Sequence, residues 1–247
     1  MSRASMVLPA ALASVALAAA IQAAATSSAT TRAAPATAPA TEPASRPIVP
    51  KDKTLLWNGK DFTGWKLFIP DPNVDPNTVW SVRDGVIRCR GKPTGYMRTE
   101  ADYADYKLHV EWRWAWFGGN SGVLVHMSGP DKVWPKSIEC QLLTNNAGDF
   151  YVIEGTNFKE HGDKEDRRVP KKGAGSENAL GEWNTCEVIC RGSTIRVFVN
   201  GELKNEATEA NVSSGKVLLQ SEGGVIEFRN VYVEPADSKP ATTTAPK

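Results

Sequence analysis

Between Lys51 and Pro235 apolar and polar residues alternate in short runs cut by Gly, Pro, Asn and Asp. A period of two puts every second side chain on one face of an extended strand and does not match the 3.6-residue period of an amphipathic helix. No other feature constrains the fold as much, because a sheet with one apolar face must cover it with a second layer. Strands are expected at Thr78–Arg83, Val86–Cys89, Tyr106–Trp116, Ser121–Met127, Ser137–Leu143, Asn184–Cys190, Thr194–Val199, Lys216–Gln220 and Val225–Val233. Asp84-Gly85, Arg191-Gly192 and Asn200-Gly201 each fall between two such runs, as tight hairpin turns require. The pattern predicts an all-β fold, a two-sheet antiparallel jelly-roll sandwich. Trp112, Trp114 and Trp116 share a parity and are expected in its core. Lys159 to Lys172 carries charges of both signs and reads as a solvated loop.

All 20 glycines and all eight tryptophans lie within 51–235, so the packed domain is sharply delimited. Residues 1–25 have the order of a secretory signal peptide: Arg3, an apolar stretch from Val7 to Ile21, then Ala23-Ala24-Ala25 as a small-residue cleavage site. Residues 26–50 form an Ala/Thr/Pro linker and 236–247 a tail of the same character, too poor in apolar surface to offset the entropy of ordering. The expectation is an exported protein, periplasmic or extracellular, with no membrane span in the mature chain. Within 51–235 there are 24 basic against 26 acidic residues, which argues against a nucleic-acid partner.

Cys186 and Cys190 lie on one expected strand, about 13 Å apart in extended chain and too far to bridge. They read as small buried thiols, while a Cys89–Cys140 bridge stays open. No Cys-x-x-Cys or His/Cys cluster supports zinc, no cofactor is apparent, and a divalent metal has no motif behind it.

Leu56-Trp-Asn-Gly-Lys-Asp-Phe-Thr-Gly-Trp-Lys66, Trp80-Ser-Val-Arg-Asp-Gly-Val86, Gly118-Gly-Asn-Ser-Gly-Val123, Gly181-Glu-Trp-Asn-Thr185, Val197-Phe-Val-Asn-Gly201 and Glu227-Phe-Arg-Asn-Val231 occur in order across the domain. Together they resemble the 3-keto-disaccharide hydrolase domain family. The resemblance implies a concanavalin A-like lectin/glucanase sandwich and a carbohydrate ligand, but that fold hosts enzymes and binding modules alike. It implies an enzyme that cleaves 3-keto-glycosides. A non-catalytic carbohydrate-binding module and a conventional glycosidase are the alternatives.

On such a sandwich the sugar site is commonly the concave face, so strand parity selects candidates. Glu139 and Gln141 share one face, and Ile138, Cys140 and Leu142 take the other. Glucan hydrolases of related fold carry Glu-x-Asp-x-Glu on a comparable strand, whereas the equivalent positions here are Glu139, Gln141 and Leu143. The missing second acid counts against ordinary retaining hydrolysis. A sugar oxidised at C3 has an acidic proton at C2, and its loss lets the C1 substituent leave, so one base and enolate stabilisation suffice. Glu139 is the expected base, with His126 and Glu222 as further catalytic candidates. Asn120, Gln141, Gln220 and Arg229 are expected to bind substrate, and Trp134 and Tyr151 to stack on it. Arg98, Glu111 and Arg113 are similar cross-strand candidates, more often structural, and His109 ranks below them. No nucleotide-binding glycine motif is present, so a separate sugar 3-dehydrogenase is expected to supply the keto substrate.

Overall fold

The computed structural model describes residues 46–238. The expected signal peptide, nearly all of the linker and the end of the tail lie outside the described residues. Within them the chain forms β1 (Thr54–Leu55), β2 (Trp65–Phe68), β3 (Trp80–Arg83), β4 (Val86–Cys89), β5 (Gly95–Thr99), β6 (Tyr103–Ala104), β7 (Tyr106–Trp114), β8 (Gly122–Ser128), β9 (Lys136–Gln141), β10 (Phe150–Ile153), β11 (Arg168–Val169), β12 (Asn184–Arg191), β13 (Thr194–Val199), β14 (Glu202–Ala207), β15 (Ser214–Ser221) and β16 (Ile226–Pro235). One 3-10 turn, Pro76–Thr78, is the sole helical element among the described residues. None of their helices is long and apolar enough to cross a membrane.

Two eight-stranded antiparallel sheets result. The first runs β14-β13-β12-β7-β16-β4-β3 with β1 on β16, and the second β11-β10-β9-β8-β15-β5-β2 with β6 on β15. The expected two-sheet sandwich is therefore the observed fold. Asp84 and Gly85 both take positive φ (52° and 78°), as do Asn200 and Gly201 (51° and 80°), the backbone a two-residue hairpin turn of matching twist needs.

The alternating residues of both sheets meet in one core that includes Trp80, Trp112, Ile138, Cys140, Phe150, Val188 and Phe228. Trp112 and Trp114 are buried there as expected, but Trp116 lies beyond the end of β7 and is exposed. All four cysteines are buried and free, so the Cys89–Cys140 bridge is not formed. The packed chain also reaches back into the expected linker, since Ile48 bridges Tyr103.

Two expectations fail for local reasons. The Lys159–Lys172 segment is not simply a solvated loop. His161 is buried and hydrogen-bonded at both ring nitrogens, to Asn157 Oδ1 (2.9 Å) and the Asp166 carbonyl (2.8 Å). Beyond it, β11 adds an edge strand to β10. In β8 the register with β9 breaks between Val125 and Ser128, and His126 sits at φ 59°. A bulge of this kind inserts one residue and reverses the parity after it.

Candidate active site

The second sheet's outer face carries the candidate residues. Glu139 pairs across the ladder with Leu124 on one side and Tyr151 on the other. Gln141 follows at the end of β9, and β15 presents Gln220, with Glu222 just beyond it. Asn120 is brought in by the loop before β8, where its backbone N–H donates to the Gly223 carbonyl at 2.7 Å. These elements close a pocket of about 100 Å³ lined by Asn120, Trp134, Glu139, Gln141, Tyr151, Ile153, Arg167 and Glu222.

Larger cavities exist, including one of about 340 Å³ against Trp112 and Trp114. Chemistry rather than size marks the pocket at Glu139. Two acceptor oxygens of its lining residues, Glu139 Oε1 and Asn120 Oδ1, and a third beside it, Gln220 Oε1, are buried without a hydrogen-bond partner. An orphaned buried acceptor is costly, so acceptors this close together call for donors, which either water or the hydroxyls of a sugar can supply. Glu139 is only 4% exposed. Its burial, reinforced by the charge of Glu222 and opposed by Arg167, pushes its carboxyl up from 4.5 to about 8. Burial also raises Glu222, with Arg167 and a hydrogen bond from Gln220 pulling back. Gln141 spends its side-chain carbonyl on the Leu142 and Leu143 N–H groups (2.9 and 3.0 Å), so what it offers a ligand is its NH2.

The glycine-rich run is explained by space. A Cβ on Gly122 would lie 2.3 Å from Glu139 Oε1, and one on Gly119 2.3 Å from the Gly223 carbonyl. Gly122 thus makes room for the carboxylate, and Gly119 lets the Asn120 and Glu222 loops touch.

Trp134 is 38% exposed at the rim and is held by a remote anchor. Asp131, three residues earlier, accepts from Arg98 Nε (2.6 Å) and Nη2 (3.1 Å), Lys66 Nζ (2.8 Å) and Tyr96 Oη (3.0 Å). Burial alone would push the Asp131 carboxyl up, but these donors hold it well below the usual range. Arg98, read as a cross-strand candidate, thus serves the loop rather than the pocket.

Six of the nine expected site residues line the pocket and Gln220 lies buried beside it. His126 and Arg229 do not reach it. The β8 bulge turns His126 inward, edge-on to Tyr106 at 5.8 Å, where burial lowers it from 6.5 to about 4. The Val212 backbone and Asp105 offset this only in part, and neither ring nitrogen makes a well-formed hydrogen bond. Arg229 lies on the other sheet, its Nε donating to Glu111 at 2.6 Å and its guanidinium stacked 4.0 Å over Trp183. Glu227 there pairs with Arg88 (2.9 Å) and Arg113 (2.7 Å). Arg167 was not foreseen. It stands just before β11, its carbonyl accepting from Val152 N–H at 3.0 Å. No sequence signal separates it from the charged residues around it. Among the described residues no group of His, Cys, Asp and Glu is arranged to hold a metal ion.

With a carboxyl held near 8, orphaned acceptors and an arginine in one pocket, sequence comparison settles the family. Residues 52–234 match the model of the 3-keto-alpha-glucoside-1,2-lyase-like domain. The chain belongs to that family. It is a carbohydrate-acting family, and the resemblance read from the six motifs holds. No curated relative matches the chain. Two provisionally named glycosyl hydrolases of Parabacteroides distasonis share the fold. One is 24% identical, covering 74% of this chain and 93% of its own, with a TM-score of 0.56. The other is 21% identical, covering 75% and 100%, with a TM-score of 0.55. A carbohydrate-binding module of Bacillus subtilis is 12% identical, covering 69% and 95%, with a TM-score of 0.52. At such identities these likenesses speak for the sandwich alone.

Proposed function

We propose that this lyase-like domain cleaves 3-keto-glycosides by elimination across C1 and C2, with Glu139 as the base. The observation that carries the reading is the single buried carboxyl raised to about 8 in a pocket with an arginine at its mouth. A base of that strength suits a carbon acid near neutral pH far better than an ordinary carboxylate. Glu139 takes the C2 proton, and the C2–H electron pair becomes the enolate of the C3 ketone. Arg167 faces the developing oxyanion, with the Gln141 NH2 as a second donor. Collapse of the enolate forms the C1–C2 double bond and breaks the C1–O bond. The departing oxygen takes a proton from Tyr151, the one hydroxyl among the lining residues. Adding water across that bond, with OH to C1 and H to C2, completes a net hydrolysis. The charge of Glu222 raises the basicity of Glu139, and its carboxyl oxygens accept from sugar hydroxyls. Asn120 and Gln220 accept from others, and the sugar beyond the pocket lies against Trp134.

In this reading the protein acts outside the cytoplasm and a separate sugar 3-dehydrogenase makes its substrate. Glu139→Gln is the test. Turnover of a 3-keto-glycoside falls at least ~100-fold, the scale of a lost general base, while binding of the sugar survives. Undiminished turnover in the variant rejects Glu139 as the base, and a wild type without turnover favours the non-catalytic binding module.

A further inference from the structure

The first sheet's outer face carries chemistry that the elimination does not use. Ser81 and Arg88 are cross-strand partners on it, opposite in parity to the buried Trp80–Cys89 pair. Arg90 continues the same parity, its backbone N–H bonded to the Val79 carbonyl at 2.9 Å. Beside them runs a groove of about 630 Å³ lined chiefly by Asn77, Thr78, Ser81, Arg88, Arg90 and Trp116. That volume is in the range of small-ligand sites. Its wall is unusual: Trp116 is 61% exposed, and the Arg88 guanidinium lies 5.3 Å from its ring centroid. The adjacent Phe117 is 82% exposed as well, so two large aromatic side chains stand in water next to each other in sequence at this edge of the groove.

Charge narrows the class of ligand. Arg88 and Arg113 share one carboxylate, Glu227. Among the described residues Arg90 has no acidic partner, and its one side-chain hydrogen bond is a long 3.5 Å approach to the Thr78 carbonyl. The groove therefore combines an aromatic plate, the Ser81 hydroxyl, an arginine without an acidic partner, and an amide and a hydroxyl ordered by Asp75, with Asn77 Nδ2 donating to Asp75 Oδ1 (2.8 Å) and Thr78 Oγ1 to the Asp75 carbonyl (2.7 Å). We infer that it is a second, non-catalytic glycan site that takes an acidic polysaccharide, with a pyranose face on Trp116 and a sugar carboxylate on Arg90. Hydroxyls of the same ring meet Asn77, Thr78 and Ser81. The site is on the sheet opposite Glu139, so its occupant is not the reacting ring, and the inference does not rest on the elimination chemistry.

Native affinity electrophoresis of the intact protein tests it, with polygalacturonate in one gel, neutral dextran in a second, single-stranded DNA in a third and no polymer in a fourth. Polygalacturonate retards the wild type, and apparent affinity drops at least tenfold in Trp116→Ala and in Arg90→Ala. Retardation weakens as salt is raised, while Glu139→Gln is retarded like wild type. Should Trp116→Ala not fold, Arg90→Ala and the charge reversal Arg90→Glu decide the matter. Three results would overturn the inference: no retardation of the wild type, retardation that survives both lesions, or dextran binding of equal strength. Retardation by DNA that the same variants abolish would make the groove a nucleic-acid surface instead.

Discussion

Glu139→Gln should stabilise the fold while it destroys activity. Burial and the charge of Glu222 lift the Glu139 carboxyl from 4.5 to about 8 in the folded chain. Between those values the native state keeps a proton that the unfolded state releases. The native state therefore binds more protons, and stability falls as pH rises. At about 1.4 kcal/mol per pKa unit, the fold gives up roughly 3 kcal/mol between pH 4.5 and pH 7, and roughly 4 by pH 8, where half of the native carboxyl is ionised. Gln has the same shape and cannot ionise, so this loss disappears in the variant. Urea unfolding of both proteins at pH 5, 6, 7 and 8 reads the difference directly. The variant should exceed wild type by less than about 1 kcal/mol at pH 5 and by about 3 kcal/mol at pH 7. In melting temperature that gap is on the order of 6–12 °C for a domain of this size. Activity should change the opposite way, since wild-type kcat/KM rises tenfold per pH unit until Glu139 is ionised near pH 8. A variant less stable than wild type at pH 7, or a difference that does not vary with pH, would show that the Glu139 carboxyl is not held protonated by the fold. Either would mean that Glu139 is ionised and paired in the fold.

Gly122→Ala should cut turnover at least tenfold with little loss of substrate binding, because its Cβ would stand 2.3 Å from Glu139 Oε1; kcat and KM measured separately check this. Arg167→Ala removes the positive charge that holds both pocket carboxyls down, so kcat should fall and the rising limb of the pH–rate profile should move above pH 8. Asp131→Asn loosens the loop that carries Trp134 and should raise KM more than it lowers kcat, with Trp134 becoming more accessible to an aqueous fluorescence quencher. His126→Leu should leave the pH–rate profile unchanged; because the native His126 binds fewer protons than the unfolded one between about 4 and 6.5, the variant should lose less stability than wild type as pH falls through that window. Mass spectrometry of exported protein should find a mature start near Thr26, and a product that retains residues 1–20 would contradict the reading of the leader.

How much of this was legible depended on whether one periodicity held along a strand. Strands with one apolar face, such as β4, β12 and β13, could be placed from alternation within a residue or so. Parity alone then put Glu139 and Gln141 on the outer face. β14 left no such trace because two of its buried residues are Lys204 and Asn205. They are satisfied by the Ala174, Val169 and Pro170 carbonyls rather than by apolar contact. β5 and β10 were missed because they are short, and most of their residues are buried on both faces, blurring the alternation. His126 was misplaced because nothing in Val-His-Met announces a bulge, and one inserted residue sends the side chain to the wrong side of the sheet. Arg167 stayed hidden since its role depends on β11 docking on β10, a long-range pairing that two residues of sequence cannot signal. Gly122 is the converse case: the glycine-rich run was visible, but its purpose required the position of the Glu139 carboxylate.

In the proposed elimination the C2 hydrogen leaves before the C1–O bond breaks. A 3-keto-disaccharide carrying deuterium at C2 of its oxidised ring, compared with the unlabelled keto sugar and the unoxidised parent, tests it most directly. If proton loss comes first, the keto sugar is cleaved with a primary isotope effect on kcat/KM, label is lost to solvent from C2 of the product, and the parent is left intact. Cleavage of the parent at a similar rate, or a product that keeps its C2 deuterium with no isotope effect, would contradict it.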